Sequence, residues 1–285
     1  MSDHFARPRS WPAPAKLNLF LHITGRRPDG YHNLQTVFQL IDLCDTIEIE
    51  VRADGCIERG SGADGVPADA DLVVRAARAL QAAAGVTHGA TLSVTKRIPM
   101  GGGLGGGSSD AATVLLALNR LWGCGLPVAE LAAIGVKLGA DVPVFVYGAS
   151  AWAEGVGEQL TPVELPERWY VVVHPRVHVP TAALFQAPEL TRNTPLITMR
   201  GLRESGGRND FEPVVRTLYP EVARALDWLD RQGAPARLTG TGSCIFAACA
   251  SRDEAELIAG RVPPEWRGFA ARGLAVSPVR ELLDR

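Results

Sequence analysis

The stretch PMGGGLGGGSS, residues 99–109, holds six glycines within seven consecutive positions. Glycine loses more conformational freedom on folding than any other residue, so this density calls for a reason such as positive φ angles or close approach of backbone to a ligand. Ser108, Ser109 and Asp110 are helix N-cap types, and an apolar helical pattern follows them. Free backbone N–H groups and the positive end of a helix dipole would then meet at this stretch. The pattern predicts an anion site, for which a polyphosphate is the natural ligand.

Two common phosphate-binding motifs do not fit this stretch. A Walker A motif requires a lysine at the position that Ser108 occupies. A dinucleotide fingerprint can be fitted through Gly101, Gly103 and Gly106, but residues 121–123, where its acidic residue should follow, contain none. A plain turn between a strand and a helix needs far fewer glycines. Anion binding by a different kind of glycine loop is therefore favoured.

Composition narrows the class of protein. The chain has 285 residues, 21% of them charged, with a formal net charge of −2, which gives no support for a nucleic-acid or polybasic membrane partner. Residues 1–14 contain no apolar core of a secretory signal, and the most apolar stretch, residues 142–153, is too short to span a bilayer. An odd number of cysteines without a Cys-x-x-Cys pair predicts reduced thiols and a cytoplasmic protein. The five cysteines are Cys44, Cys56, Cys124, Cys244 and Cys249.

Strand and helix patterns are mixed along the chain, which predicts an α+β fold in two halves. A shift toward Pro, Glu and Thr at residues 160–168 marks a candidate boundary, with domains at 1–160 and 161–285. Loops are predicted at residues 56–70 and 194–208. Strands are predicted at residues 16–24, 34–43, 46–51, 90–96, 142–147 and 170–174, and helices at 72–84, 110–122, 128–138, 213–231 and 252–260.

Four further motifs accompany the glycine stretch. They are PAKLNLFLH at residues 14–22, RPDGYH at 27–32, GADVP at 139–143 and LTGTGSCIF at 238–246. Together the five motifs resemble those of the GHMP kinases, and the extra Gly-Gly of the glycine stretch matches one branch of that family. The resemblance implies a two-domain GHMP kinase fold, with an N-terminal ATP-binding domain, a C-terminal substrate-side domain and the active site in the cleft between them. It also implies ATP with Mg²⁺ as the donor and, in that branch, a sugar-alcohol conjugate of cytidine diphosphate as the acceptor.

Asp141 and Lys16 are the expected catalytic residues. Asp141 follows a helix-terminating glycine and precedes Val-Pro, which fixes the backbone on both sides. In the family this aspartate accepts the proton of the attacking hydroxyl, and Lys16 in the first strand would lie beside it and neutralise charge on the transferring group. In isolation the two would be read as a turn residue and a solvated lysine. Their place inside matching motifs favours the catalytic reading.

The substrate side is predicted from the same resemblance. Tyr31 is expected to stack on the cytosine ring, His32 to hydrogen-bond its edge, and Phe185 to supply the second aromatic face, with core packing as the alternative for Phe185. Asn18 shares a strand face with Lys16 and could bind substrate or serve as a structural amide. A second glycine loop, at residues 239–243, is expected to close over the diphosphate. The expected substrate-binding residues are Asn18, Tyr31, His32, Thr181, Phe185, Gly240, Thr241 and Gly242.

The nucleotide side centres on the glycine stretch. Ser108 is expected to touch Mg²⁺ or a β-phosphate oxygen, with plain N-capping as the alternative. Lys96 could approach a phosphate or be a solvated strand-end lysine, and Asp210 fits the family pattern without an assigned chemical role. The expected ATP-binding residues are Lys96, Pro99, Met100, Gly101, Gly102, Gly103, Leu104, Gly105, Gly106, Gly107, Ser108 and Ser109.

Three functions stay open at this point. The first is phosphorylation of the cytidine diphosphate conjugate, which the aromatic set of Tyr31, His32 and Phe185 favours. The second is another small-molecule kinase of the family, of the homoserine or mevalonate type. The third is a non-catalytic nucleotide-binding module, against which the presence of both Asp141 and Lys16 argues. The sequence leaves the oligomeric state undetermined.

Overall fold

The computed structural model describes residues 9–62 and 65–283. Residues 1–8, part of the segment inspected for a secretory signal, lie outside that description. The strands are β1 (Arg9–Arg26), β2 (His32–Arg52), β3 (Ile57–Ser61), β4 (Gly89–Thr95), β5 (Ala151–Glu154), β6 (Gln159–Pro162), β7 (Trp169–His174), β8 (Arg237–Leu238), β9 (Ile245–Cys249) and β10 (Arg267–Leu274). The helices are α1 (Leu72–Ala84), α2 (Gly106–Leu121), α3 (Val128–Gly135), α4 (Val142–Tyr147), α5 (Thr181–Gln186), α6 (Met199–Ser205), α7 (Glu212–Leu218), α8 (Pro220–Asp230), α9 (Arg252–Gly260) and α10 (Pro278–Leu283).

One sheet runs through both halves of the chain. Its order is β3-β4-β2-β10-β7-β9-β8, with β1 and β5 also paired to β2 and β6 paired to β5. The two halves join where β10 pairs antiparallel with β2, Gly273 opposite Ile41 and Leu274 opposite Leu40. β10 then continues along β7. The α+β prediction is confirmed, and one continuous sheet connects the two halves.

Two hydrophobic cores flank this sheet. In the N-terminal half, Leu80 of α1 and Leu115 of α2 are fully buried in a cluster that also takes in Val279 of α10. In the C-terminal half, Leu226 of α8 and Ile258 of α9 are buried in a second cluster. Apolar burial of this kind is the main driving force for folding. The last helix of the described chain therefore completes the core of the first half.

A smaller core anchors the glycine stretch. Leu104, the one apolar residue within its glycines, is buried with Leu17 of β1 and with Phe246 of β9. Removing an apolar side chain from water contributes about 1.5–3 kcal/mol. Burial of Leu104 thus holds the middle of a stretch whose other residues have little side chain to pack.

Helix α1 follows its sequence signals. The Asp71 carboxylate accepts a hydrogen bond from the Val73 N–H at 3.2 Å, and Gly85 ends the helix with φ 63° in the left-handed region. These are the N-cap and C-cap geometries that Asp and Gly favour. The prediction of a helix over residues 72–84 is confirmed at both ends.

Helix α2 begins earlier than predicted. Its N-cap is Gly105, with φ 73° and no side-chain cap, so Ser108, Ser109 and Asp110 lie inside the first turns and do not cap it. The prediction of a helix beginning at Asp110 was wrong because a glycine in the left-handed region can turn the chain into a helix without a capping side chain. The first helical N–H groups, which have no partner within the helix, therefore belong to Gly106, Gly107 and Ser108.

Other boundaries also differ from the predictions. Residues 142–147 form α4 and not a strand, with Pro143 in its first turn and Gly148 as its left-handed C-cap. Residues 142–146 are all buried, so this apolar run has no hydrophobic period that distinguishes a strand from a helix. Residues 34–43 and 46–51 belong to the single strand β2. The predicted loops at 56–70 and 194–208 contain β3 and α6, the predicted helix at 213–231 is divided into α7 and α8, and β6, β10 and α10 were not predicted.

Candidate active site

Positive φ angles recur along the glycine stretch, at Gly101 (66°), Gly103 (75°) and Gly105 (73°). There is also too little space for a side chain at two of these glycines. A Cβ at Gly103 would lie 2.2 Å from the Thr239 carbonyl oxygen, and one at Gly105 would lie 2.9 Å from the Phe145 ring. Both restrictions exclude larger residues, and they leave the backbone N–H groups of the stretch uncovered by side chains.

Backbone hydrogen bonds hold the glycine stretch between β1 and the second glycine loop, residues 239–243. The Lys16 N–H donates to the Leu104 carbonyl at 3.0 Å, and the Cys244 N–H donates to the Gly102 carbonyl at 3.1 Å. The Thr239 hydroxyl accepts from the Asn18 N–H at 2.9 Å. The three segments therefore form one unit, although they come from distant parts of the sequence.

Lys16 and Asp141 meet within this unit. The Lys16 Nζ lies 3.4 Å from Asp141 Oδ2, and the lysine side chain is 3% exposed whereas the aspartate side chain is 32% exposed. Asp141 occupies the N-cap position of α4 but makes no side-chain cap bond, which leaves its carboxylate for other contacts. The Lys16 ammonium also lies 5.2 Å from the Phe38 ring centroid, within the range of a cation–π contact. A buried cation thus lies beneath a carboxylate that solvent can reach.

The side-chain amide of Asn18 holds the Lys16 ammonium in place. Its Oδ1 accepts a hydrogen bond from Lys16 Nζ at 2.5 Å, and its Nδ2 donates to the Thr36 hydroxyl at 3.0 Å. A charge-assisted hydrogen bond of this kind fixes the ammonium more firmly than a neutral one would. The structure therefore gives Asn18 a structural contact on each side of its amide, while Asn18 also lines the adjoining cleft.

A cleft of about 570 Å³ opens above the pair. Across it, the Thr181 hydroxyl of α5 lies 2.8 Å from the Thr241 hydroxyl of the second glycine loop. His178 and Phe211 also line the cleft and were not among the predicted residues; Phe211 directly follows Asp210 in its motif, whereas His178 falls in none. The predicted residues that line it are Lys16, Asn18, Gly101, Gly103, Gly105, Ser108, Asp141, Thr181, Phe185, Gly240, Thr241 and Gly242.

The predicted aromatic residues lie toward one end of this cleft. Phe185 lines it and packs edge-on against Phe211, with ring centroids 5.0 Å apart. His32 is buried and stacks on Phe185, with centroids 4.9 Å apart and planes 24° apart. His32 and Tyr31 themselves are not part of the cleft lining, and the Tyr31 side chain is 65% exposed. Their contact with a base stays a prediction.

Arg192 connects the members of this aromatic group, and sequence reasoning missed it. Its Nε donates to His32 Nε2 at 3.3 Å, and its Nη2 donates to the Phe185 carbonyl at 2.9 Å. Burial, followed by the positive charges of Arg192 and Arg26, lowers the pKa of His32 below its usual value. The His32 ring is therefore held neutral.

A second cavity, of about 370 Å³, lies on the other side of the glycine stretch and extends to Leu72 at the start of α1. Met100 lines it and is 54% exposed. Ser109 does not line it, and its side chain is fully buried. Ser108 lines both this cavity and the cleft. The predicted ATP-binding residues on its wall are Lys96, Pro99, Met100, Gly101, Gly102, Gly103, Leu104, Gly105, Gly106, Gly107 and Ser108.

Lys96 is neither solvated nor free. Its Nζ contacts Asp45 Oδ2 and lies 2.7 Å from Asp110 Oδ2. Asp45 also accepts backbone hydrogen bonds from Arg97 at 2.5 Å and from Ile98 at 2.8 Å, so it is the better stabilised of the two carboxylates. The reading of Lys96 as a solvated strand-end lysine was wrong.

The pKa values of Asp110 and Lys96 in this buried group are both shifted from their usual values. Burial and repulsion by Asp45 raise the pKa of Asp110 to about 7, against the opposing attraction of Lys96. Burial by itself would lower the pKa of Lys96, but the carboxylates of Asp110 and Asp45 outweigh it and raise the pKa. Asp110 Oδ1 is buried without a hydrogen-bond partner. Asp110 is therefore the carboxylate beside the nucleotide-side cavity that takes up a proton most readily.

Asp210 has a structural role. Its Oδ2 accepts hydrogen bonds from the Ile23 N–H at 2.8 Å and from the Thr194 hydroxyl at 2.6 Å. Its Oδ1 accepts from Arg208 Nε at 2.8 Å. The carboxylate thus joins β1 to the segment before α6 and to the approach to α7. Its place in the motif pattern follows from this connection and not from chemistry in the cleft.

The described residues contain no cluster of three or more His, Cys, Asp or Glu side chains arranged for a metal ion. In the same part of the chain, none of the helices has the length and apolar character needed to cross a bilayer.

Comparison with known proteins defines the class. Residues 71–149 match the GHMP kinases N terminal domain, and residues 187–267 match the GHMP kinases C terminal domain. The chain therefore belongs to the GHMP kinase family, a class of enzymes that transfer a phosphoryl group to an acceptor, and the resemblance predicted from its motifs is confirmed.

Within that class the similarity is more particular. The chain is 58% identical over 279 residues to the 4-diphosphocytidyl-2-C-methyl-D-erythritol kinase of Cupriavidus necator, covering 96% of each chain. It superposes on a crystal structure of 4-(cytidine 5'-diphospho)-2C-methyl-D-erythritol kinase with a TM-score of 0.82 and 35% identity, covering 93% of this chain and 99% of the other. A homoserine kinase from Cytophaga hutchinsonii shares the fold, with a TM-score of 0.73 at 18% identity and coverage of 97% and 98%.

Proposed function

We propose that this protein is an ATP-dependent kinase that phosphorylates the 2-hydroxyl of 4-diphosphocytidyl-2-C-methyl-D-erythritol, a reaction of the non-mevalonate (methylerythritol phosphate) route to isoprenoid precursors. Its similarity over nearly the full chain to kinases of that name supports the substrate. The observation that carries the chemistry is the Lys16–Asp141 pair, placed where the cleft meets the glycine stretch.

The glycine stretch fits the triphosphate of ATP. Its uncovered N–H groups lie at the first turn of α2, where the helix dipole also favours negative charge. The cavity beyond it, between the stretch and α1, suits the nucleoside. Lys96, with two carboxylate contacts of its own, shapes this wall and is not a free phosphate ligand.

The residues around the glycine stretch would supply only part of the coordination shell of Mg²⁺. The described residues offer no carboxylate cage, which suits an ion held mainly by ATP oxygens and water. The hydroxyl of Ser108 borders both the cavity and the cleft and is the protein oxygen that would hold the ion. When bound, Mg²⁺ would neutralise charge on the transferring phosphate.

Asp141 acts as the catalytic base in this proposal. Its carboxylate accepts the proton of the acceptor hydroxyl, and the nearby Lys16 ammonium provides a positive counter-charge at 3.4 Å. Asn18 holds that ammonium in place through its 2.5 Å hydrogen bond. Because positioning and electrostatics supply most of the rate in phosphoryl transfer, a fixed cation and a reachable base are the parts this fold has to provide.

The cytidine diphosphate portion lies along the rest of the cleft. Gly240, Thr241 and Gly242 adjoin its diphosphate, with Thr181 facing them from α5. The cytosine base lies at the aromatic end of the cleft. There the Phe185 ring stacks on one face of the base, and His32 contacts the edge of the base. Tyr31, whose ring has little contact with the protein, closes over the other face.

The remaining organisation follows the family. The N-terminal domain, residues 1–160, binds ATP, and the C-terminal domain, residues 161–285, contributes the substrate side, while α10 returns to pack on the first domain. The ligands are small molecules, with no nucleic-acid or membrane partner, and the place of action is the cytoplasm.

A coupled assay of ADP release tests the function. Purified protein with ATP and Mg²⁺ is offered 4-diphosphocytidyl-2-C-methyl-D-erythritol, mevalonate or homoserine as the acceptor. The proposal requires turnover with the cytidyl substrate and a product phosphorylated at its 2-position. Equal turnover of mevalonate or homoserine would refute the cytidyl assignment, and binding of ATP without turnover of any acceptor would indicate a non-catalytic module.

A further inference from the structure

The Arg192 guanidinium is held by the backbone and has no carboxylate partner within 4.0 Å in the described part of the chain. It donates to the carbonyls of Phe185 at 2.9 Å, Ala187 at 2.7 Å and Leu190 at 3.0 Å. Phe185 and Ala187 lie at the C-terminal end of α5, where the helix leaves carbonyls without internal partners. Arg192 therefore satisfies the end of the helix that presents Phe185 to the cleft.

The hydrogen bond from the Arg192 guanidinium to His32 determines which nitrogen of the His32 ring carries the hydrogen. Arginine is a donor only, so the nitrogen that accepts from Arg192 Nε, His32 Nε2, carries no hydrogen. A neutral ring then has its hydrogen on Nδ1, for which the structure gives no hydrogen-bond partner. His32 Nδ1 is consequently the nitrogen left to donate a hydrogen bond, whereas the acceptor nitrogen Nε2 is already bound by Arg192.

The same guanidinium sets the relation between the two rings. His32 follows the turn at the start of β2, whereas Phe185 lies on α5, far along the chain. They stack 4.9 Å apart, and Arg192 bonds to the ring of one and to the backbone of the other. One side chain thus joins these two elements in addition to the stacking of their rings.

We propose that Arg192 is a positioning residue for recognition of the base, holding His32 as the Nδ1–H form beside Phe185 so that it offers a single donor. This inference rests on the proposed function. Cytosine has an unprotonated N3 that accepts such a donor, whereas the corresponding atom of uracil carries a hydrogen. Arg192 therefore selects cytosine over uracil without touching either.

The proposal makes a spectroscopic prediction that does not depend on activity. In protein labelled with ¹⁵N-histidine, the His32 signals should be those of a protonated Nδ1 and an unprotonated Nε2. In Arg192→Leu the Nε2 acceptor loses its donor, and the His32 signals should shift to mixed tautomers. Arg192→Lys tests whether charge suffices, since a lysine keeps the cation but lacks the planar fork. Arg200→Leu is the matched control, because Arg200 lies on the surface of α6 and pairs with Glu204.

Kinetics provide the second readout. Both Arg192 variants should raise the KM for the cytidyl substrate by about tenfold or more, the scale of one hydrogen bond left unmade, and leave the KM for ATP unchanged. Preference over the uridyl analogue should fall by a similar factor. Arg200→Leu should change neither value.

The outcomes separate cleanly. A protonated Nε2 in the wild-type protein, or a folded Arg192→Leu variant with wild-type substrate KM and wild-type cytosine preference, would overturn the inference. A wild-type protein that shows the expected nitrogen signature but never phosphorylates the cytidyl substrate would overturn base recognition together with the proposed function. In that case the hold of Arg192 on His32 would still be established by the spectra.

Discussion

The Lys16 ammonium lies 3.4 Å from the Asp141 carboxylate; both residues line the cleft, but the lysine side chain is buried and the aspartate side chain is reached by solvent. Lys16 comes from β1 and Asp141 from the residue before α4, so the contact depends on how these two elements pack around α2. The arrangement divides the work: the lysine provides fixed charge from within the fold, and the aspartate is the group that a hydroxyl can reach.

Asp141→Asn should abolish most turnover without disturbing the fold. The amide has the shape of the carboxylate but cannot accept the proton, and a positioned base contributes about 10²–10⁴ in rate. We expect kcat to fall by about that factor while the Kd for ATP stays unchanged, measured by coupled assay and by nucleotide titration. Asp253→Asn, on the exposed first turn of α9, is the control. Near-normal turnover of Asp141→Asn would remove the base assignment.

Tyr31→Ala should weaken substrate binding and spare stability. The ring is 65% exposed, so its removal leaves no cavity, but stacking on a base contributes about 1–3 kcal/mol. The KM for the cytidyl substrate should therefore rise about 5- to 150-fold, with little change in the KM for ATP. Tyr31→Phe keeps the ring and should retain substrate binding. A rise of both KM values together would contradict a contact with the base.

Gly103→Ala and Gly123→Ala form a matched pair that tests the junction of the two glycine loops. Both glycines have positive φ, 75° and 67°, but a Cβ at Gly103 would lie 2.2 Å from the Thr239 carbonyl oxygen, whereas one at Gly123 would meet nothing within 4 Å. The strain of the left-handed region costs about 1–2 kcal/mol in each, and overpacking adds about 1–3 kcal/mol at Gly103. Denaturant unfolding should show the larger loss for Gly103→Ala, and only that variant should lose ATP binding. Equal losses in both variants would contradict a tight junction.

Asp110→Asn should change the pH dependence of stability. With its pKa raised to about 7 in the folded protein, Asp110 binds a proton there that the unfolded chain, with an ordinary pKa near 3.9, has already released. Between about pH 4 and 7 the folded state thus holds the extra proton, and this group makes stability fall as pH rises.

The measurement for Asp110 is the difference in unfolding free energy between wild type and variant at pH 5 and pH 8. This difference removes the contributions of other titrating groups. The wild type should lose more stability than Asp110→Asn on going to pH 8, and Asp253→Asn should follow the wild type. A variant with the same pH dependence as the wild type would show that Asp110 titrates normally.

Local signals in the sequence predicted those parts of the fold that local interactions decide. Asp71 and Gly85 mark the ends of α1, and alternation marks β1 and β2. Residues 142–147 were misjudged because tertiary burial removes the period on which the distinction depends. β10 was missed because its pattern is unremarkable and its place is set by pairing with β2 and β7, contacts between residues far apart in the chain.

The candidate site shows the same division. Lys16 and Asp141 could be chosen because they stand in motifs, and the structure brings them together. Arg192 could not be chosen, since its importance lies in a contact with His32 from another element and its own neighbourhood has no motif. The role of Lys96 could likewise not be predicted from the sequence, because its partners Asp45 and Asp110 come from separate segments of the chain.

The return of α10 to the first core has a consequence for biosynthesis. Val279 is buried in the first core, where α10 packs against β1 and α2, and β10 supplies the strand that borders β2. A nascent chain emerges from the ribosome N-terminus first and folds by domains as they are completed. Here the N-terminal half cannot reach its final packing until β10 and α10 have been synthesised, so the two halves cannot mature strictly one after the other.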